Sequence, residues 1–266
     1  MPTQLFDLTG KVALITGASR GIGEATARLL AEQGAQVVIS SRKQEDLDRV
    51  ASSIEASGGK ATAIAAHQGE SAALKHLMTE IEQRFGRLDI LVNNAATNPY
   101  FGHVTDTDVS MIDKTLQVNI KGYFELASLA AKLMRKNLPR EDGTGGGGAI
   151  VNIASINGVK PGMFQGIYSI SKAAVISMTQ SFAKECAPWK VRVNAVLPGL
   201  TETKFASALT KNEQILKVAL QSIPMARVAQ PAEIAPAILY LVSDASSYVT
   251  ATTLTVDGGL IGAGGL

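Results

Sequence analysis

The chain is poor in residues that cross-link a fold or hold a metal. Its only cysteine is Cys186, so no internal disulfide can form, which suits a reducing compartment. Cys186 falls on an expected helix, where packing in the core or an interface is its expected use. The three histidines, His67, His76 and His103, have no ligand spacing to carboxylates or to the cysteine, so no metal is expected. His76 is expected on a solvated helix face. No apolar run reaches the ~18 residues of a membrane span. Met1–Gly10 lacks the basic and apolar regions of an export signal, and Ala263–Leu266 lacks the basic residue of a peroxisomal Ser-Lys-Leu ending. A soluble, cytoplasmic protein is therefore expected. Charge of one sign is also scarce: 25 basic and 23 acidic side chains give a net charge of +2, too balanced for a nucleic-acid binder.

Glycine, by contrast, is concentrated where it has a use. Lys11–Thr16 is a short run rich in β-formers and reads as a buried strand. It runs into Gly17-Ala18-Ser19-Arg20-Gly21-Ile22-Gly23 and then a helical stretch that Gly34 stops. Strand, glycine turn and helix form the context that a dinucleotide site requires. Glycines let the backbone approach a pyrophosphate, and the helix N-terminus offers N–H donors and a positive dipole end. Gly17, Ser19, Arg20, Gly21, Ile22 and Gly23 are the expected cradle, spaced Gly-x-x-x-Gly-x-Gly rather than Gly-x-Gly-x-x-Gly. After the next strand, where an NAD site places an acid, the chain has Ser41-Arg42. A guanidinium and a hydroxyl bind a 2′-phosphate that a carboxylate would repel, so NADP(H) is the expected cofactor, with Arg20 able to approach the same phosphate.

Tyr168-Ser-Ile-Ser-Lys172 places a phenol and an ammonium one helical turn apart, with Ser155 thirteen residues upstream of the phenol. A free phenol has a pKa of about 10 and is a poor acid–base group near neutrality. An ammonium on the same helix face favours the phenolate, and a nearby hydroxyl can hold a carbonyl against it.

Together these segments resemble the short-chain dehydrogenase/reductase family. The resemblance spans nearly the whole chain and rests on Thr16-Gly17-x-x-x-Gly21-x-Gly23, Asn93-Asn94-Ala95-Ala96, Asn119, Ser155, Tyr168-x-x-x-Lys172, Asn194, Pro198-Gly199 and Val256-Asp257-Gly258-Gly259. It implies that Tyr168 is the general acid for carbonyl reduction and the base for alcohol oxidation. It implies that Lys172 bonds the nicotinamide ribose and lowers the Tyr168 pKa, that Ser155 orients the carbonyl, and that Asn119 holds a water linking Lys172 to solvent. Asn93, Asn94, Ala95 and Ala96 would line the cofactor, Asn93 also bracing the sheet. Pro198, Gly199, Thr201 and Thr203 would hold it from the far side. Two positions depart from the family pattern. Ala96 replaces a glycine, and His67-Gln68 stand where an acid commonly contacts adenine, so His67, Gln68 or the backbone would serve there. The resemblance extends to NADPH-dependent carbonyl (retinal) reductases and to bacterial 3-oxoacyl-[acyl-carrier-protein] reductases. The latter comparison makes Arg135, Lys136 and Lys184 candidates for docking an acidic carrier beside the active-site mouth. A homotetramer or dimer is implied, through helices near 107–137 and 165–187 and the C-terminal segment.

The expected fold class is α/β: a single doubly wound (Rossmann) domain over 1–266, with a seven-stranded parallel sheet in the order 3-2-1-4-5-6-7 and helices on both faces. Strands are expected near 11–16, 36–40, 61–66, 88–92, 148–154, 191–196 and 252–256. Helices are expected near 21–33, 44–57, 71–85, 107–137, 165–187 and 231–242, with a smaller one within 203–222. Glu141–Gly148 reads as a surface linker. Residues 198–225 form the expected substrate lid. Phe205, Leu209, Leu216 and Met225 are its apolar candidates, with Met163 and Phe164 opposite and Tyr100 and Phe101 at another edge.

Three functions fit. The first is an NADPH-dependent reductase of small ketones or aldehydes, also able to oxidise secondary alcohols. The second is a 3-oxoacyl thioester reductase. The third is a catalytically idle NADP-binding sensor or scaffold, against which the complete Asn119, Ser155, Tyr168, Lys172 set argues.

Overall fold

The computed structural model describes residues 5–137, 146–204 and 213–263. Seven parallel strands make one sheet in the order β3-β2-β1-β4-β5-β6-β7. They are β1 (Val12–Thr16), β2 (Gln36–Ser40), β3 (Lys60–Ala63), β4 (Ile90–Asn93), β5 (Gly148–Ile153), β6 (Val191–Pro198) and β7 (Thr253–Val256). The helices are α1 (Gly21–Glu32), α2 (Gln44–Ala56), α3 (Ser71–Phe85), α4 (Val109–Leu116), α5 (Gly122–Met134), α6 (Gly166–Cys186), α7 (Glu213–Gln221) and α8 (Pro231–Val242).

The period of two along each strand sorts the core into layers. In β1, Ala13 and Ile15 face one way and pack with Leu30 of α1, Leu47 of α2 and Ile238 of α8. Val12 and Leu14 face the other way and pack with Leu77 of α3, Leu126 of α5 and Ala183 of α6. Cys186 lies in that second layer, so it is a core residue. His76 is exposed on α3. Among the described residues, no helix is long and apolar enough to cross a membrane and no side-chain cluster has the makings of a metal site.

Most expected elements stand where the pattern puts them, but the long helix near 107–137 does not. It is broken into α4, a π-helical bulge over Gln117–Lys121, and α5. Side chains pull the bulge out of α pitch: Gln117 Nε2 donates to the Gly69 carbonyl, and Asn119 is bonded to Thr97 and Ser171. Gly122 then passes so close to the Gln68 carbonyl that a Cβ would overlap it. Of the expected lid, Phe205 and Leu209 lie outside the described residues. Leu216 lies on α7, and Met225 is exposed with its N–H bonded to the Gly258 carbonyl.

Opposite the strand ends that will matter chemically, Asp89 ties three strands at their starts. Its Oδ2 accepts from the Val12 N–H at 2.9 Å, Arg87 donates twice to its carboxylate at 2.9 and 2.7 Å, and its backbone pairs with Val12 and Ala149. Asp89→Ala leaves the Val12 N–H buried without its acceptor and should cost about 2–4 kcal/mol. Urea denaturation checks this, with a lowered midpoint at unchanged slope. A midpoint at the wild-type value would remove Asp89 from that role.

Candidate active site

All seven strands point their carboxyl ends to one edge, and β1 and β4 are neighbours although the chain passes through β2 and β3 between them. The connections leave these two strands in opposite directions, so a crevice opens at their ends. Thr16 and Asn94 close its floor. Thr16 Oγ1 accepts the N–H groups of Asn94 and Ala95, both at 3.1 Å, and Asn94 Nδ2 donates to the carbonyls of Thr16 (2.9 Å) and Gly17 (3.2 Å). This contact explains two of the glycines. A Cβ at Gly17 would lie 2.8 Å from Asn94 Nδ2, and one at Gly23 would lie 2.5 Å from the Gly17 carbonyl oxygen. Asn93 is fully buried and acts as the expected brace, donating to Asn152 Oδ1 at 3.0 Å, so Asn94 and not Asn93 faces the glycine loop.

The loop fits a pyrophosphate. Gly21 turns with φ 60°, and α1 opens there with no side-chain bond at its N-cap, Arg20, so the first-turn N–H groups are turned toward the loop. Thr203 stands across from this helix end, its methyl 3.2 Å from where a Gly21 Cβ would be. Thr201 is buried, donating to the Gly199 carbonyl, and Gly199 passes so near Asp257 that a Cβ would be 2.7 Å from its Cα. Pro198 ends β6 in register with Val256. On the other flank, the Ala18 N–H donates to the Ser40 carbonyl at 3.2 Å, tying the loop to the end of β2. Ser19 and Ile22 are half-buried in the loop and the first turn of α1. Ser41 is half-buried beyond β2, while Arg42 and Arg20 are exposed. His67 accepts the Gly69 N–H on Nδ1 at 3.1 Å, and Gln68 is buried with no protein partner for Nε2. Ala96 is half-buried beside Ala95.

The catalytic candidates meet on the other side of the crevice. Ser155 and Tyr168 share a hydrogen bond, and both are buried. Lys172 is 1% exposed and donates from Nζ to the Ile153 carbonyl at 2.7 Å. Nζ lies 5.2 Å from the Tyr123 ring and 5.7 Å from the Tyr168 ring. Asn119 is fully buried in the π bulge. Its Nδ2 donates to the Thr97 carbonyl (2.9 Å) and to Ser171 Oγ (3.0 Å), and its Oδ1 accepts from the Thr97 N–H (2.8 Å). The side-chain amide is therefore engaged by protein partners. Asn194 is likewise structural, holding Val249 and Thr252 ahead of β7.

Thr97, Ser171 and Tyr123 are participants that the motif reading missed. Thr97 and Ser171 hold Asn119, and Tyr123 contributes a buried ring beside Lys172. No spacing marks Thr97 or Tyr123, while Ser171 immediately precedes Lys172. The proposed carrier-docking trio needs correction. Arg135 stacks over Trp189 at the far end of α5 and α6, next to Asn137, which bonds Leu88 and Gly147 ahead of β4 and β5. Lys136 pairs with Glu82 at 2.6 Å, and Lys184 stands four helical turns beyond Tyr168. Helices antiparallel to the strands carry these residues to the opposite end of the sheet, away from this chain's own catalytic mouth.

Residues 17–261 match the family model described as Enoyl-(Acyl carrier protein) reductase. The chain is 38% identical over 257 residues to Dehydrogenase/reductase SDR family member 4 of Oryctolagus cuniculus, covering 97% of this chain and 96% of that relative. It is 38% identical over 256 residues to the 3-oxoacyl-[acyl-carrier-protein] reductase FabG of Thermotoga maritima, covering 96% and 99%. A gluconate 5-dehydrogenase from Burkholderia cenocepacia J2315, crystallised with NADP and tartrate, matches with a TM-score of 0.90 at 31% identity, over 98% of each chain.

Burial sets the protonation of the acid–base pair. Desolvation pushes the Tyr168 phenol up to about 12, against a smaller downward pull from Ser155. Desolvation also pulls the Lys172 ammonium down to about 7. The expected lowering of the phenol by the ammonium is thus absent from the chain by itself, where Nζ is turned to the Ile153 carbonyl. Between about 7 and the ordinary lysine value of 10.5, the unfolded chain holds a proton on Lys172 that the folded chain has released. Stability gained from this group therefore rises with pH across that window. Lys172→Met removes the contribution, so its stability to urea should rise less than wild type between about pH 7 and 10. Equal slopes would mean that the folded chain does not desolvate the ammonium.

Proposed function

The chain belongs to the short-chain dehydrogenase/reductase family, and on that premise we propose that it is an NADPH-dependent reductase of small ketones and aldehydes. The carrying observation is the Ser155–Tyr168 hydrogen bond beside buried Lys172, across one crevice from the glycine loop. Gly17, Ser19, Arg20, Gly21, Ile22 and Gly23 would hold the pyrophosphate, Ser41 and Arg42 the 2′-phosphate, and His67 with Gln68 the adenine side. Asn94, Ala95, Ala96, Pro198, Gly199, Thr201 and Thr203 would flank the nicotinamide half. When bound there, NADPH supplies the hydride.

The chain's own groups manage orientation and the proton. Ser155 Oγ holds the carbonyl oxygen of the substrate against the Tyr168 hydroxyl and stabilises the negative charge that grows on it. Tyr168 donates its proton to that oxygen. A phenol raised to about 12 is fully protonated near neutrality, the form that reduction needs, whereas alcohol oxidation would require its anion. Lys172 then restores the proton. With its pKa lowered to about 7, Lys172 can take up and release a proton near neutral pH, relayed by a water held at Asn119.

The relatives support carbonyl chemistry of more than one kind. A 3-oxoacyl thioester remains a second reading through the Thermotoga maritima relative, without docking at Arg135, Lys136 or Lys184 of the same chain. NADP in the Burkholderia cenocepacia structure favours the cofactor choice argued from Arg42. We read the exposed Phe124 and Ile170, with Phe182 edge-on to Phe124 at 5.0 Å, as the contact face of a dimer or tetramer built on α5 and α6. The cytoplasm is the proposed location.

Tyr168→Phe should lower kcat for ketone reduction by about 10²–10⁴-fold, with NADPH affinity by fluorescence titration close to wild type. Retained turnover would remove Tyr168 as the acid. Arg42→Ala should raise the KM for NADPH about tenfold and leave that for NADH nearly unchanged. Equal effects on both cofactors, in steady-state assays, would remove Arg42 from the 2′-phosphate.

A further inference from the structure

The loops around the catalytic set carry three side-chain amides for which the acid–base chemistry has no use. Asn98 follows Thr97, the residue clamped by Asn119. Asn157 lies two residues past Ser155, and its N–H donates to Ser155 Oγ at 3.1 Å. Gln165 precedes Tyr168 by three residues at the start of α6, one turn away on the same face. Each of these residues thus lies within three residues of a different member of the catalytic set or of the residue that holds it. Their polar atoms also converge. Asn98 Nδ2 donates to Gln165 Oε1 at 3.3 Å. A Cβ built on Gly162 would lie 2.8 Å from Asn157 Nδ2 and 3.0 Å from Gln165 Nε2.

One atom of this group is unmatched. Asn98 Oδ1 is buried and has no hydrogen-bond partner in the protein. Buried amide oxygens are ordinarily paired, so an unmatched one on a side chain bonded to Gln165, one helical turn ahead of Tyr168, points to a ligand. Nearby, the same two loops present apolar surface. The rings of Phe101 and Phe164 meet edge-to-face at 5.9 Å, and Met163 is 78% exposed. Phe164 has φ 62°, a left-handed backbone that bulky residues rarely adopt, and the Gly102 N–H holds its carbonyl at 3.0 Å. These loops thus combine an amide cluster with an aromatic one.

We propose that Asn98, supported by Gln165, forms a subsite for a hydroxyl group next to the carbonyl being reduced, so that the preferred substrates are hydroxyketones with an apolar or aromatic remainder. The inference rests on the reductase reading above. A hydroxyl donates to Asn98 Oδ1, and because it also accepts, it completes the amide in either orientation. An ether or a methylene at the same place donates nothing and leaves the oxygen unmatched.

The test compares 2-hydroxyacetophenone with 2-methoxyacetophenone and acetophenone, using purified protein with NADPH and with NADH. The methoxy compound keeps the electron-withdrawing oxygen and removes only the donor. Wild type should favour the hydroxyketone over both others by about tenfold or more in kcat/KM, chiefly through KM, and Asn98→Ala should bring the ratio near one. A wild-type ratio near one overturns the subsite while leaving the reductase reading in place, as does a preference that survives Asn98→Ala. Should Asn98→Ala fail to fold, the wild-type comparison decides alone. No reduction of any of the three ketones by protein that binds NADPH overturns the reductase reading, and the subsite with it.

Discussion

The pairing of Thr16 with Asn94 is the constraint on which the site depends. Four hydrogen bonds join the end of β1 to the end of β4 where the chain has left in opposite directions. From there the bonding continues without a gap. Ala95 leads to Thr97, Thr97 is bound on both backbone groups by Asn119, Asn119 donates to Ser171, and Ser171 Oγ donates to the Tyr168 carbonyl at 2.7 Å. The nucleotide loop and the proton donor are thus parts of one polar framework. Its members are mostly buried, so breaking any link would leave unpaired groups away from water. The distance between the glycine loop and Tyr168 is set by this framework rather than by side-chain rotamers at the surface.

Burial then gives the framework its chemistry. Lys172 and Tyr168 are almost fully enclosed, and desolvation moves their pKa values in opposite directions, each toward its neutral form. The Ile153 carbonyl is the partner that makes an enclosed ammonium tolerable. The carbonyl becomes available because β5 ends at Ile153, before the turn that carries Ser155. One strand terminus therefore positions the orienting hydroxyl and anchors the proton source. Tyr123 adds a buried ring whose centroid lies 5.2 Å from the same Nζ.

Much of this was legible from residue order. The strand at Val12–Thr16, the Gly17–Gly23 turn and the Tyr168–Lys172 spacing each carry a local physical demand, so pattern alone locates them. All seven strands and their parallel sheet follow from alternation of apolar runs with helical stretches, while their order was expected from the doubly wound fold that the family resemblance implies. The break at Gln117–Lys121 was not legible, because it is imposed by partners far away in sequence: Gly69, Thr97 and Ser171. Helical periodicity sees only neighbours along the chain. The basic residues Arg135, Lys136 and Lys184 were misplaced for a related reason. Proximity to a catalytic helix in sequence says nothing of which end of the helix faces the mouth. The amides Asn98, Asn157 and Gln165 carry no motif, and only folding shows that two loops bring Asn157 and Gln165 together at Gly162 and Asn98 onto Gln165.

That last group indicates where variation can be tolerated. The acid–base set lies on strand ends and helix starts locked by the Thr16–Asn94 framework, so a change there disturbs both cofactor and proton transfer. Asn98, Phe101, Asn157, Met163 and Phe164 lie on the two loops after β4 and β5, which bind each other through Asn98 and Gln165, Gly102 and Phe164, and the Phe101 and Phe164 rings. A relative named as a 3-oxoacyl-[acyl-carrier-protein] reductase and a solved structure named as a gluconate 5-dehydrogenase fit this division, since one fold serves both. The strained backbone of Phe164 belongs to the recognising part. A left-handed turn at a bulky residue persists only when its surroundings hold it, and here they are the Gly102 N–H and the Phe101 ring, both from the facing loop. Specificity in this fold therefore depends on how two loops grip each other, and catalysis on how two strands do.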